Sequence, residues 1–245
     1  ATSVSTLSAL NPIMYCPLTE DYALGKNLGT GGDFTATGRV KFADGGVDYV
    51  DGTASAGMVW IKSRGSSVDH VVNDTVRGAN NHIHPNTTTD NNTASGFLTE
   101  FNGNGFRIGT ESLVNNSSYN YCSWSWKKAE KFFDVIQFEG DNVDGRTVSH
   151  NLGSTPGMIM IKNIDRTGDE WITFHRSLSA NHTLYLDQNS SQSNTGFITS
   201  VTSTGFNVSN GTATNASGYT YIAYIFAHND GDGGFGPTGD QDVIK

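Results

Sequence analysis

His82-Ile83-His84 puts two imidazoles on one face of an extended segment, an allowed geometry for two ligands of a tetrahedral zinc. No third ligand stands at a useful spacing, and Asn181-His182-Thr183-Leu184, one hundred positions later, keeps a single ring. A ring that satisfies a recurring hydrogen bond is the simpler role for His82 and His182. Asp69-His70 offers half of a nucleophile-activating triad. No serine occupies a Gly-x-Ser-x-Gly elbow, however, and the later pair is Asp169-Glu170. Asp141-Asn142-Val143-Asp144-Gly145 and Asp230-Gly231-Asp232-Gly233-Gly234 set oxygen donors against turn-forming glycine, as calcium loops do. Neither continues into the pattern that closes on a bidentate Glu, so both read as acidic turns. Trp60 and Trp171 have no aromatic counterpart one hundred positions away, which makes them candidates for sugar stacking on a copy-specific surface, with burial in a core as the alternative. No carboxylate pair stands out for glycoside hydrolysis. The chain is therefore read as non-enzymatic, with no catalytic, cofactor-binding or metal-ligating residue and no cofactor.

The spacing used in these comparisons comes from a duplication. Gly57-Met58-Val59-Trp60-Ile61-Lys62 returns as Gly157-Met158-Ile159-Met160-Ile161-Lys162. Gly96-Phe97-Leu98-Thr99 returns as Gly196-Phe197-Ile198-Thr199, Gly105-Phe106 as Gly205-Phe206, and Asn81-His82 as Asn181-His182. Asn115, Ser117, Tyr119 and Tyr121 return as Asn215, Ser217, Tyr219 and Tyr221. A period this long exceeds the 20–50 residues typical of solenoid arrays, so each copy is large enough to own a core.

Composition sets the class. Charged residues are only 16% of the chain, glycine is abundant at 29 residues, and runs of strong helix formers are nearly absent. Short strands joined by polar turns suit that balance. The net charge of −9 leaves no basic stripe for a phosphate backbone, which argues against a nucleic-acid partner. No segment approaches the ~20 apolar residues of a membrane-spanning helix, so no membrane insertion is expected. Cys16 and Cys122 are too few and too far apart for a disulfide framework and read as buried free thiols.

These elements must hold the candidate residues. Residues 1–44 read as an extended N-terminal arm or connector, with strand-like character appearing from Thr35 to Phe42. Residues 45–131 form the first β-sandwich repeat and 132–228 the second. Residues 229–245 form a Gly/Asp-rich tail in which Asp242-Val243-Ile244 repeats Asp134-Val135-Ile136 and reads as the start of a third copy. The four apolar residues after Gly57 predict a strand covered on both faces. Residues 96–101 and 105–108 predict a hairpin around Asn102-Gly103-Asn104. In the stretch 119–126, Cys122, Trp124 and Trp126 share one face and Tyr121, Ser123 and Ser125 the other. Its counterpart Tyr219-Thr220-Tyr221-Ile222-Ala223-Tyr224-Ile225-Phe226 is apolar on both faces and should lie deeper. Residues 127–131 read as a charged linker. Function that differs between copies is expected in the loops 77–95 and 176–195. The fold expected is all-β: two tandem homologous β-sandwich domains of jelly-roll type behind the arm.

With these residues assembled, the chain resembles repeat-built structural proteins of tailed bacteriophages, marine ones in particular. The resemblance lies in Asn151-Leu152-Gly153-Ser154-Thr155-Pro156 ahead of Ile159-Met160-Ile161-Lys162-Asn163, in Trp171 with His175 nearby, and in Tyr221-Ile222-Ala223-Tyr224-Ile225-Phe226-Ala227. The first copy carries the aromatic variant Trp124-Ser125-Trp126-Lys127. The likeness covers residues 45–245 and leaves 1–44 unmatched. It implies a virion component, a tail fibre or capsid-surface appendage placed to contact the host. Its implied partners are other virion proteins, copies of itself (a trimer among the states) and a host-surface glycan. It implies no catalytic residue.

Overall fold

The computed structural model describes residues 39–41, 57–102, 105–229 and 234–236. The protein is all-β, with every pairing antiparallel and one four-residue helix, α1 (Ser112–Asn115), among the described residues. Cys16, Gly103-Asn104, the acidic run 230–233, the proposed third copy at 242–245 and nearly all of the expected arm lie outside the described residues.

Among the described residues the first half builds two three-stranded sheets. One is β3 (Val71–Asp74), β2 (Gly57–Ser63) and β8 (Tyr121–Lys127), with β2 central; the other is β1 (Arg39–Lys41), β7 (Gly105–Ile108) and β6 (Leu98–Asn102), with β7 central. A short pair, β4 (Asn81–His82) and β5 (Asn92–Thr93), lies beside the first sheet and touches it through the Val72–Ile83 bridge. The second half repeats this plan. Its larger sheet runs β14 (Ser193–Asn194), β13 (His182–Tyr185), β12 (Ile172–His175), β11 (Pro156–Asn163), β17 (Thr220–Ala227) and β9 (Phe133–Glu139). Its smaller sheet runs β10 (Arg146–Ser149), β16 (Gly205–Val208) and β15 (Ile198–Val201).

Strand registers show how closely the copies agree and where they slip. Met58 faces Trp126 as Met158 faces Phe226, and Phe101 faces Phe106 as Val201 faces Phe206. Between those ladders the spacing grows by one: Ile61 faces Val71, whereas Ile161 faces Ile172. The connection 164–171 is one residue longer than 64–70, and 195–197 is one shorter than 94–97, which restores the count. His82 faces Asn92 and Thr183 faces Ser193, so Thr183 holds the place of His82, and His182 holds the place of Asn81. The expected His82–His182 equivalence is corrected on that ground. By the same slip Trp171 stands where the first copy has His70, so it does have an aromatic counterpart. β1 pairs with β7 as β10 pairs with β16, which sets a ladder strand inside the stretch 1–44 that the sequence suggests is an arm.

Among the described residues three apolar cores lie between the sheets. Val59, Ile61 and Val71 from the β2 sheet meet Leu98 and Phe106 from the β1 sheet. Ile159, Ile161, Ile172, Ala223 and Ile225 meet Val148, Ile198, Phe206 and Val208 in the second half. The third core joins the halves: Met58, Val72 and Ile83 pack on Phe133, Met160, Trp171, Ile222 and Tyr224. This accounts for the two-sided apolar pattern of β17, whose central residues are all buried, because one face serves the second-half core and the other the junction. Corresponding faces meet there, and the equivalent residues Trp126 and Phe226 touch edge to face at 6.1 Å.

A repeated tyrosine latch explains why Tyr121 and Tyr221 recur. Tyr121 Oη donates to Ser112 O (2.6 Å) and accepts from Asn116 N (2.8 Å). Tyr221 Oη does the same with Thr212 O (2.7 Å) and Ala216 N (2.9 Å). Burial pushes the Tyr221 phenol up to about 12. Tyr221→Phe removes the acceptor of the Ala216 amide and one of two donors to Thr212 O, which keeps Asn163 Nδ2, and should cost about 1 kcal/mol in a urea melt. A loss below a few tenths would show that water replaces the phenol there.

The charged linker proves to be a tight turn. β8 runs through Lys127, Ala129 bridges Phe133, and Lys131 adopts φ 55° while its amide donates to Leu152 O.

Candidate functional site

The most heavily constructed polar region lies at the junction. Asp74 closes β3, and its Oδ1 accepts from the amides of Val76 (3.0 Å) and Arg77 (2.8 Å), an Asx turn that fixes the start of the following loop. That turn delivers Arg77 back onto the sheet, where Nε lies 2.6 Å from Asp74 Oδ2, with the two side chains 2% and 0% exposed. The remaining guanidinium nitrogens bind Asn91 Oδ1 (2.8 Å), Val72 O and Tyr224 Oη (both 3.2 Å). Tyr224, from the second half, donates its hydroxyl to Asp74 Oδ2 at 2.6 Å. Burial disfavours the Arg77 charge, yet Asp74 and Tyr224 outweigh it and raise its pKa. Burial pushes the Tyr224 phenol well above its ordinary value. A carboxylate, a guanidinium and a phenol thus satisfy one another across the seam.

A second set of polar links comes from the loop 77–95. Thr88 O accepts from Gly168 N (2.9 Å) and from Lys162 Nζ (3.2 Å), Asn91 N donates to Ile164 O (3.0 Å), and Trp171 Nε1 donates to His84 O (3.0 Å). Lys162 is fully buried, with its ammonium 2.6 Å from Asp169 O. Burial lowers its pKa against the pull of Asp169, Asp187, Asp90 and Glu170. The loop expected to carry copy-specific chemistry in the first repeat therefore fastens that repeat to the second.

Beside the seam, the same face of the β2 sheet emerges as an aromatic ledge. Trp60 and Trp124 are ladder partners with rings 6.5 Å apart, edge to face, and Trp124 is 39% exposed. His70 meets Trp60 at 5.8 Å and accepts its indole N–H through Nδ1 (2.9 Å). Trp171, offered by the sequence for the same role, has no exposed surface and packs parallel to Tyr224 at 6.2 Å.

The other candidates are dispersed. His82 and His84 approach edge to face at 5.2 Å, but His84 Nδ1 lies 2.6 Å from His70 O and His82 stacks on Phe97 at 3.7 Å. Among the described residues no three His, Cys, Asp or Glu side chains converge as a metal set. Asp69 holds Asn86 Nδ2 (2.7 Å) while the His70 ring serves Trp60, so the two form no relay. Asp141 is engaged by Asn215 Nδ2 (2.8 Å), Val143 N (2.9 Å) and Arg146 (3.3 Å), closing a turn where a calcium ligand was conceivable. His182 Nδ1 lies 2.9 Å from the nearby Ala180 O. Cys122 is a free thiol, half-buried, with its pKa raised by burial.

Sequence reasoning missed Asp74, Arg77 and Tyr224 as a set. Their signal was faint: an i, i+3 acid–base pair at the end of an apolar strand, with its third member 147 positions away.

No curated protein and no solved structure matches the chain. One family does, described as a domain of unknown function, DUF7483, and it covers residues 42–240 in a single span that takes in both halves and the seam between them. That span is most of the chain, and the protein belongs to the DUF7483 family.

Proposed function

We propose that the chain is a non-enzymatic structural component of a tailed-bacteriophage particle, a tail-fibre or capsid-surface appendage built from two tandem β-sandwich repeats of jelly-roll type. The observation that carries this reading is the shared third core with its buried Asp74–Arg77–Tyr224 network. Here the duplicated surface goes into joining the copies. The product is a stiff unit of two sandwiches that chain-to-chain contacts can extend, as an appendage requires. The resemblance of the repeated motifs to phage structural proteins supplies the particle. Other virion proteins and further copies of the chain are its partners, and the virion is its location. The test is immunogold labelling of intact, purified particles with antibody against this chain, together with a mass-spectrometric inventory of the same particles. Discrete labelling at the tail or capsid surface is expected, and absence from the inventory sinks the assignment.

A second reading, a carbohydrate-binding module, draws on the Trp60–His70–Trp124 ledge, since exposed indoles stack on sugar rings. On that reading Trp124→Ala abolishes capture on a glycan array while leaving the melting temperature nearly unchanged.

A further inference from the structure

One end of the second repeat carries a cleft of about 520 Å³. Four chain segments converge on it: the start of β11, the end of β12, the end of β15 and the exit from β17. Its floor is apolar, made by Pro156, Phe174 and Val201, the last two packed on the core beneath. Arg176 and His228 line it as exposed side chains. Ser154 also lines it and holds a hydroxyl oxygen that is buried yet without a hydrogen-bond partner. Buried hydroxyls are ordinarily satisfied, so an orphan on a cleft wall points to a group that arrives from outside.

The local backbone is shaped for this opening. β11 bulges between Pro156 and Met158, and bulges recur where a strand end must re-aim its side chains. Gly157 lets the exit strand approach, because a Cβ there would sit 2.8 Å from His228 Cβ. Arg176 is anchored through its main chain, its amide donating to Gly157 O at 2.9 Å, which leaves the guanidinium to the cleft. Among the described residues no carboxylate pairs with Arg176 or His228, in a chain whose net charge is −9. The two charged positions differ in the first repeat. Thr75 stands for Arg176 and binds Gly57 N (2.8 Å), and Lys128 stands for His228 and is paired with Asp134 (2.7 Å).

We infer that this cleft binds a carboxylate-bearing sugar, a uronic or sialic acid residue of a surface polysaccharide. A planar guanidinium takes a carboxylate through two parallel hydrogen bonds. The Phe174 and Pro156 surface receives the C–H face of a pyranose ring, and the Ser154 hydroxyl meets a ring hydroxyl. The volume falls in the range of small-ligand sites. This cleft is separate from the Trp60–Trp124 ledge, and its occupancy does not depend on the particle assignment.

Calorimetric titration of the full chain tests it with two probes: a tetrasaccharide alternating glucuronate and N-acetylglucosamine, and sialyllactose. At least one should bind, with the methyl ester of that probe weaker by tenfold or more. Arg176→Gln should lose tenfold or more, Arg176→Lys less, and both variants should melt with the wild type. Preference between the probes assigns uronic or sialic acid. Silence toward both acids, equal binding of the esters, or binding indifferent to Arg176→Gln overturns the inference. Equal binding of a short peptide with a free C-terminal carboxylate would overturn the sugar assignment in favour of a peptide end.

Discussion

Arg77→Ala is expected to destabilise the protein by about 3–5 kcal/mol, the usual penalty for stranding one member of a buried ion pair. Asp74 would keep its two amide donors and the Tyr224 hydroxyl but lose its counter-charge, in a site where its side chain is fully buried. Asn91 Oδ1 and Val72 O lose a donor in the same step. For a chain of this length the melting temperature should fall by about 10 °C. Tyr224→Phe removes one hydroxyl from the network and should cost less, about 1–3 kcal/mol. The third core spans both halves, so the wild type should unfold in a single calorimetric transition and Arg77→Ala should move it whole. Two separated transitions in the wild type would show that each sandwich is stable alone and that the seam is a weak contact. A fall of under 1 kcal/mol for Arg77→Ala would mean that water enters the seam and takes the place of the guanidinium beside Asp74.

That network marks the boundary of what the sequence discloses. Strands with a strong period were readable: residues 57–63 and 121–127 fall where the apolar runs predict, and the hairpin of β6 and β7 closes at Asn102 and Gly105 as expected. Deep burial of β17 followed from its two apolar faces. β10 went unread, because Arg146-Thr147-Val148-Ser149 offers one buried apolar residue and declares itself only by pairing with β16. The one-residue slip between copies was also hidden. Asn-His occurs at both 81–82 and 181–182, so comparison at constant spacing aligns two histidines that the ladders set on different positions. Contacts such as Asp74 to Tyr224 join residues 150 apart, and no local pattern encodes them. The Arg176 cleft was invisible for a related reason: its four walls meet only after the sheets have formed.

The misaligned histidine has a consequence of its own at acid pH. His82 is 3% exposed, stacked on Phe97, and has an Nδ1 without a hydrogen-bond partner. Burial lowers its pKa from 6.5 to about 4, and the nearby charges of His84 and Arg77 add to the shift. The folded protein therefore keeps His82 neutral where the unfolded chain takes up a proton. Between pH 6.5 and 4 the unfolded state binds more protons, so stability rises with pH in that window. The contribution is complete above 6.5 and is lost as pH falls toward 4; it amounts to about 3 kcal/mol at 1.4 kcal/mol per unit. His70 and His150, also lowered by burial, act in the same direction. His82→Thr installs the residue that the second copy carries at this ladder position, and it should flatten the acid limb of urea midpoints while leaving the shares of His70 and His150. A variant whose midpoints fall with acid as steeply as the wild type would show that His82 gains its proton without unfolding, by turning its ring away from Phe97 into water. The second copy has no need of that restraint, because Thr183, which holds the same place, answers Thr195 Oγ1 at 2.9 Å with a hydroxyl that does not titrate.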